Sequence, residues 1–141
     1  MNNVVVIGGG AAGMMAAVYA ARAGARVTLL ERNEKLGKKI YITGKGRCNV
    51  TNAAEGDQFM QSIMRSPRFC YAALSLLDSR GVMDFFESAG VPLKVERGER
   101  VFPQSDHASD ITRALEREMR AAGVEIKLCA RVKGLLVSDG A

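Results

Sequence analysis

Three glycines near the start of the chain have the spacing of a dinucleotide-binding turn. Gly8, Gly10 and Gly13 follow the apolar residues 4–7 and open an Ala-rich segment that begins with Ala11 and Ala12. In this pattern the first glycine permits a tight strand-to-helix turn, the second lets a pyrophosphate approach the backbone, and the third allows the helix to lie close to the sheet. Free N–H groups at the start of the helix, together with the helix dipole, favour an anion there. The residues therefore predict a pyrophosphate site that needs no charged side chain.

One acidic residue lies where the ribose of such a dinucleotide is expected. Glu31 follows a second apolar segment, residues 26–30, and comes 18 residues after Gly13. Because parallel strands end at the same edge of a sheet, its carboxylate is expected to accept hydrogen bonds from both ribose hydroxyls and to repel a 2′-phosphate. A glycine triad alone recurs by chance in turns, whereas a triad with the strand, the helix and the acid in place favours a dinucleotide site.

The elements that position these residues alternate between strands and helices, with an insertion. Strands are expected at 4–7 and 26–30, with the first helix between them, followed by a long irregular loop at 32–56. Helices are expected at 59–65, at 67–77 with Ser66 as the cap, and at 81–89, and a hairpin is expected at 93–95 and 100–102.

The last part of the chain is expected to return to the sheet. A helix that contains Ile111, Leu115 and Met119 ends at Gly123, and a strand at 124–128 follows it, parallel to the first two, so that the sheet order is third, second, first. Residues 131–137 are expected to form another strand. The predicted fold class is α/β: a partial Rossmann-like domain with a three-stranded parallel sheet, helices, and a helical and hairpin insertion at about residues 53–104.

Composition favours a globular, cytoplasmic domain. With 141 residues, 48% hydrophobic and 25% charged, the chain has room for about one domain. Its apolar runs are too short to span a bilayer, and Met1-Asn2-Asn3 carries no basic stretch before the first strand. The three cysteines, Cys48, Cys70 and Cys129, have no C-x-x-C spacing, which is typical of reduced thiols.

The chain has a net charge of +5, and its basic residues are dense in the loop that follows the second strand. Phosphate compensation and solvated surface account for this charge, and the absence of Trp argues against a nucleic-acid partner. The only histidine, His107, is expected to be solvated or to cap a helix, and no metal site is predicted. The basic residues concerned are Arg32, Lys35, Lys38, Lys39, Lys45 and Arg47.

Three segments together resemble the BaiN-type (YhiN-like) bacterial NAD(P)/FAD-dependent oxidoreductases of the glutathione-reductase-like FAD superfamily. They are residues 4–31, the loop Thr43-Gly-Lys-Gly-Arg-Cys-Asn-Val-Thr-Asn52, and Arg97-Gly-Glu-Arg-Val-Phe-Pro-Gln-Ser105. The resemblance implies that the chain is an amino-terminal piece of a longer enzyme and that FAD is its cofactor. It implies that Glu31 holds the adenosine ribose, that Arg32 borders the adenine, and that Val132 contacts the adenine edge through its backbone. It also implies FAD contacts at the following residues: Gly8, Gly10, Ala12 and Gly13 with the pyrophosphate, and Gly44, Gly46, Arg47, Cys48 and Asn49 with phosphate or the ribityl chain.

The implied reaction is hydride transfer from NADH or NADPH through FAD to a small organic substrate, such as an unsaturated or carbonyl-bearing compound. No residue of this chain is assigned a catalytic role, and Cys48 is not assigned a redox role. The 141-residue piece alone is expected to be inactive and to self-associate. Two alternatives stay open: an NAD-binding Rossmann domain of a dehydrogenase, and a flavoprotein module that acts on RNA.

Overall fold

The structure is a computed structural model that describes residues 2–54 and 56–137. The chain divides into two compact units. The first comprises Met1–Lys38 and Leu115–Ala141, and the second comprises Lys39–Ala114. The predicted insertion at about 53–104 falls inside the second unit.

A three-stranded parallel sheet forms the centre of the first unit. β1 (Asn3–Ile7) pairs with β2 (Arg26–Leu30), and β2 pairs with β6 (Glu125–Lys127), so the order is β1-β2-β6. The strands are rich in Val and Leu, whose side chains pack well on a pleated surface. The parallel pairing and the strand order predicted from the sequence are both confirmed, and so is the α/β fold class.

The helix α1 (Ala11–Arg22) packs against β1 and β2. Its residues Met14, Ala17 and Val18 are fully buried. Alanine is the strongest helix former and has a small side chain, so this Ala-rich helix approaches the sheet closely. The position of the glycine turn is therefore fixed by two packed elements.

The chain after β6 differs from the prediction. Residues 131–137, expected to form a strand, contain none, and Leu135, Leu136 and Val137 are 80%, 103% and 91% exposed. A strand exists only through hydrogen bonds to a neighbour, and this segment has no strand partner among the described residues. The strand predicted at 131–137 is therefore wrong.

The second unit contains a small antiparallel sheet. β4 (Leu93–Glu96) and β5 (Arg100–Pro103) form the predicted hairpin around Arg97-Gly98-Glu99. A two-residue strand, β3 (Thr51–Asn52), pairs with β5 and gives the order β3-β5-β4. The sequence analysis missed β3 because it placed all of 32–56 in an irregular loop, and two polar residues show no periodicity. That segment also contains two short 3₁₀ turns within Ile40–Gly46, separated by a kink at Thr43, Gly44 and Lys45.

The ends of the helices in the second unit differ from those that the periodicity predicts. They are α2 (Gly56–Gln61), a 3₁₀ helix at Pro67–Cys70, α3 (Tyr71–Leu76) and α4 (Ser79–Ser88). Ser66 precedes Pro67 as predicted, but its φ is 50° and its side chain makes no capping hydrogen bond. α4 starts two residues before the predicted 81, because the Asp78 carboxylate accepts the Gly81 N–H at 2.7 Å.

The helix predicted before Gly123 is α5 (Ala108–Ala121), which contains the buried residues Ile111, Leu115 and Met119. It ends close to Gly123, whose φ of +79° is typical of a helix terminus. No helix in the described ranges is long and apolar enough to cross a membrane.

Candidate functional site

The glycine turn between β1 and α1 has the geometry that the motif requires. Gly8 adopts a φ of +104°, and its N–H donates to the Leu30 carbonyl at 2.8 Å, which ties the turn to the end of β2. A Cβ on Gly13 would lie 1.9 Å from the Gly8 carbonyl oxygen. Only a residue without a side chain fits at that position, so the helix begins directly against the turn.

The start of α1 is open. Gly10, the N-cap residue, is extended and offers no side chain to cap the helix, and a Cβ added to it would meet no atom within 4 Å. Gly10, Ala11 and Ala12 are all exposed. Amide donors at a helix N-terminus with open space before them fit the pyrophosphate of a dinucleotide.

Glu31 lies directly beside this turn. Its Oε2 accepts the Gly9 N–H at 2.6 Å, although the two residues are 22 positions apart in the sequence. Its Oε1 accepts two hydrogen bonds from Asn33, from the backbone N–H at 2.8 Å and from Nδ2 at 2.6 Å. The end of β2 therefore brings the acid and the glycine turn together.

Sequence reasoning did not single out Gly9 or Asn33. A Cβ on Gly9 would lie 2.5 Å from Leu36 Cδ2 and 3.1 Å from Glu31 Cβ, so Gly9 is required for the approach of the carboxylate. The signal available was the unbroken run Gly8-Gly9-Gly10, in which the motif accounts for the first and third glycines only. For Asn33 the sequence offered no signal beyond its position two residues after the acid.

The Glu31 carboxylate is 7% exposed and still favours its charged form. Burial alone would raise its pKa, but the hydrogen bonds from Asn33 and Gly9 outweigh burial, and the nearby Arg32 guanidinium adds to them. The net result is a pKa below its ordinary value. Glu31 is thus a charged hydrogen-bond acceptor at neutral pH.

The two residues predicted to border the adenine also belong to the first unit. Arg32 is exposed, and Val132 is half-buried. The segment before Val132 is attached to the end of β2, since Ala130 N–H donates to the Glu31 carbonyl at 2.8 Å and Cys129 N–H donates to the Asn33 carbonyl at 3.0 Å.

The second unit contains the loop residues that the resemblance assigns to FAD: Gly44, Gly46, Arg47, Cys48 and Asn49. Gly44 has a φ of +56°, and a Cβ on it would lie 2.9 Å from Phe102 Cε1, so this position requires glycine. Gly46 and Cys48 also have positive φ values, 87° and 63°. The loop is therefore a tightly turned segment that packs against β5.

Arg47 is engaged by protein groups. Its Nη1 donates to Glu96 Oε1 at 2.8 Å and to Asp106 Oδ1 at 3.3 Å, and its guanidinium lies 4.1 Å from the centroid of the Phe102 ring. The hydrogen bond to Glu96, together with the charges of Glu96 and Asp106, raises the pKa of Arg47 further above its ordinary value. Lys94 joins the group, with its Nζ 2.7 Å from Asp106 Oδ2. Two cations and two carboxylates thus neutralise each other.

The Cys48 side chain is buried, at 6% exposure, and burial raises the pKa of its thiol. This environment is typical of an inert cysteine and not of a redox centre. Asn49 is exposed, and its amide group, in the orientation that satisfies its neighbours, donates to the Thr51 carbonyl at 3.0 Å and to the Val101 carbonyl at 3.1 Å.

Comparison with known proteins places this geometry in a family context. The family model described as HI0933-like protein Rossmann domain matches residues 2–141. A 3-dehydro-bile acid delta(4,6)-reductase of Clostridium scindens is 39% identical over 98% of this chain and 34% of the relative. A ribosomal RNA dihydrouridine synthase of Escherichia coli is 31% identical over 92% of this chain and 32% of the relative. The chain therefore spans about a third of the length of these curated relatives.

Among solved structures, the open conformation of a flavocytochrome c3 fumarate reductase is similar to this chain with a TM-score of 0.61. The two share 23% sequence identity, and the similarity covers 99% of this chain and 29% of that chain. At this identity the similarity shows a common fold.

Proposed function

Because the chain belongs to the HI0933-like Rossmann domain family, we propose that it is the FAD-binding part of a flavin-dependent oxidoreductase. The family predicted from the sequence is confirmed by this match and by the two curated relatives. The observation that carries the proposal is the 2.6 Å hydrogen bond from Gly9 N–H to the Glu31 carboxylate. It supports the proposal because it holds the Glu31 carboxylate beside the glycine turn, and an adenine dinucleotide needs a ribose acceptor next to its pyrophosphate site.

In this proposal the open start of α1 and the turn at Gly8, Gly10, Ala12 and Gly13 hold the pyrophosphate. Glu31 accepts a ribose hydroxyl, and its neighbours Arg32 and Val132 border the adenine. The family resemblance also predicts FAD contacts by the following residues of the second unit: Gly44, Gly46, Arg47, Cys48 and Asn49. A phosphate contact by Arg47 requires its guanidinium to leave Glu96 or to use the N–H groups that the two carboxylates do not engage.

When bound, FAD supplies hydride transfer between NAD(P)H and an organic substrate. Two curated relatives are named as a 3-dehydro-bile acid delta(4,6)-reductase and a ribosomal RNA dihydrouridine synthase, and these names describe the reduction of a double bond. We propose the same substrate class here, a small compound in which such a bond gains a hydride and a proton. NAD(P)H as the donor comes from the family resemblance, and a cytoplasmic location comes from the composition.

A titration of the purified chain with FAD tests the proposal. We expect saturable binding, seen as quenching of flavin fluorescence, and loss of binding in Gly10→Val, which puts a side chain where the phosphate must lie. Because the space at Gly10 is empty, this variant keeps the fold. Equal FAD affinity in Gly10→Val and the wild type would refute the site, and retention of NAD with no affinity for FAD would favour a dehydrogenase.

RNA is the second candidate partner, because a relative at 31% identity is a ribosomal RNA dihydrouridine synthase. The prediction that nucleic acid is not a partner therefore stays a prediction. Binding of a short single-stranded RNA, measured over a range of salt concentrations, distinguishes an RNA substrate from a small-molecule substrate. Tight binding that weakens steeply as salt rises would support an RNA substrate, and weak binding even at low salt would support a small molecule.

We also propose that copies of the 141-residue chain associate with each other. β1 lies at one end of the parallel sheet, and its residues Val5 and Ile7 are 60% and 56% exposed. An edge strand with exposed apolar side chains favours pairing with another chain.

A further inference from the structure

Asn33 holds the Glu31 carboxylate, and no motif assigns it a role. Its backbone N–H and its Nδ2 both donate to Glu31 Oε1, at 2.8 Å and 2.6 Å. The other oxygen, Oε2, accepts only the Gly9 N–H among the hydrogen bonds of the described residues, at 2.6 Å. The two oxygens of one carboxylate are thus used differently.

The two oxygens of the Glu31 carboxylate differ in how many acceptor sites remain available to a ligand. A carboxylate offers about four lone-pair sites, two on each oxygen. The two donors of Asn33 fill Oε1, whereas Gly9 leaves one site on Oε2. In this arrangement Asn33 engages Oε1, and Oε2 keeps an open site for a ribose hydroxyl.

We propose that Asn33 is a positioning residue for the dinucleotide: its two hydrogen bonds to Oε1 fix the orientation in which Glu31 presents Oε2 to the adenosine ribose. This inference rests on the proposed function, because it concerns the same carboxylate.

The backbone around Asn33 is held in place from both sides. Its carbonyl accepts the Cys129 N–H at 3.0 Å, while Glu31 accepts the Ala130 N–H at 2.8 Å and donates to the Lys127 carbonyl at 2.9 Å. The donors of Asn33 therefore start from a fixed position relative to Glu31. Their hydrogen bonds also keep the carboxylate charged despite its burial, and a charged acceptor binds a hydroxyl more strongly than a neutral one.

Asn33→Ala tests the role, because it removes the Nδ2 hydrogen bond and keeps the backbone one. Carboxyl NMR of the chain without FAD should show the pKa of Glu31 shifted upward, and FAD titration should show binding weakened about tenfold. Asn33→Ser, which keeps a donor near the same place, should restore most of the affinity. The matched control is Thr28→Val, which removes the 2.9 Å hydrogen bond from Thr28 Oγ1 to Glu125 in the same sheet. This variant should leave the pKa of Glu31 and the affinity for FAD unchanged.

Two results would overturn the role of Asn33. One is an unchanged Glu31 titration in Asn33→Ala, and the other is a shifted titration with unchanged FAD affinity. Glu31→Ala separates this inference from the proposed function. If Glu31→Ala weakens FAD binding and Asn33→Ala does not, only the positioning role fails. Wild-type affinity in Glu31→Ala, or no FAD binding by the wild-type chain, would refute the proposed site and this inference with it. Amide NMR spectra of each variant verify that it is folded.

Discussion

Gly13→Ala should unfold the first unit more easily, against the usual preference of helices for alanine. Gly13 lies inside α1, where replacing glycine by alanine normally stabilises by about 1 kcal/mol. Here the new Cβ would lie 1.9 Å from the Gly8 carbonyl oxygen. An ordinary carbon–oxygen contact is about 3.3 Å, so the helix start and the turn must separate by roughly 1.4 Å.

The clash cannot be relieved by moving a flexible side chain, because the clashing atom is a backbone oxygen of the turn. Moving α1 outward loosens the packing of Met14, Ala17 and Val18, all of which are fully buried. Strain and lost packing together cost about 3–5 kcal/mol, and after the gain in helix propensity the net loss is about 2–4 kcal/mol.

Urea unfolding followed by circular dichroism measures this loss. With a slope of about 2 kcal/mol/M, the midpoint should fall by roughly 1–2 M. Gly10→Ala is the matched control: its Cβ meets nothing within 4 Å, so it should change the free energy of unfolding by at most about 1 kcal/mol, the typical effect at an N-cap, while it weakens FAD binding. A midpoint for Gly13→Ala equal to or above that of the wild type would refute the account of the turn.

Three further predictions use other parts of the chain. Folding lowers the pKa of Glu31 below its ordinary value of 4.5, so the charged carboxylate stabilises the fold above that pH, and this contribution is lost as the pH falls through the folded pKa. The difference in unfolding free energy between the wild type and Glu31→Gln should therefore shrink on acidification. A difference that is constant with pH would contradict the cause assigned to the pKa shift. Iodoacetamide at neutral pH should modify the exposed Cys129 well before Cys48, whose thiol is buried with a raised pKa, and equal rates measured by mass spectrometry would argue against that burial. Light scattering after size-exclusion chromatography should give a mass that rises with concentration for the wild type and less so for Val5→Lys, which puts a charge on the edge strand; a constant monomer mass over the micromolar range would reject self-association.

The sequence was sufficient where the determining contacts are close along the chain. The turn at Gly8 to Gly13 connects consecutive elements, so its residue types report directly on its geometry. The parallel order of the sheet followed from the alternation of strand and helix, since such crossovers have a fixed hand. Glu31 was found for the same reason, because its place after β2 follows from the motif.

The sequence was insufficient where a contact joins distant segments. Nothing local indicates that Gly9 donates to an acid 22 residues away, or that Thr51–Asn52 becomes a strand by pairing with β5. Periodicity also does not determine burial: Phe69 and Leu76, both in the segment predicted as a helix at 67–77, are each 88% exposed. Periodicity identifies an amphipathic face, but the presence of a neighbour decides whether that face is buried.

Arg47 shows how such a distant contact changes the chemistry that a motif suggests. An arginine in a glycine-rich loop is a natural ligand for phosphate, because its planar group bonds two oxygens at once. In the structure that group is paired with Glu96, 49 residues away, and lies over the Phe102 ring, so binding phosphate in its place would leave Glu96 with Lys94, 3.6 Å away, as its remaining cation among the described residues. The same contacts hold the loop against β5 in a backbone conformation with several positive φ values, which would be costly to maintain without them. The contacts of Arg47 with Glu96 and Phe102 therefore hold this loop in shape. The loop backbone is itself engaged, since the Arg47 and Cys48 N–H groups donate to the Gly44 and Thr43 carbonyls at 3.3 Å and 3.1 Å.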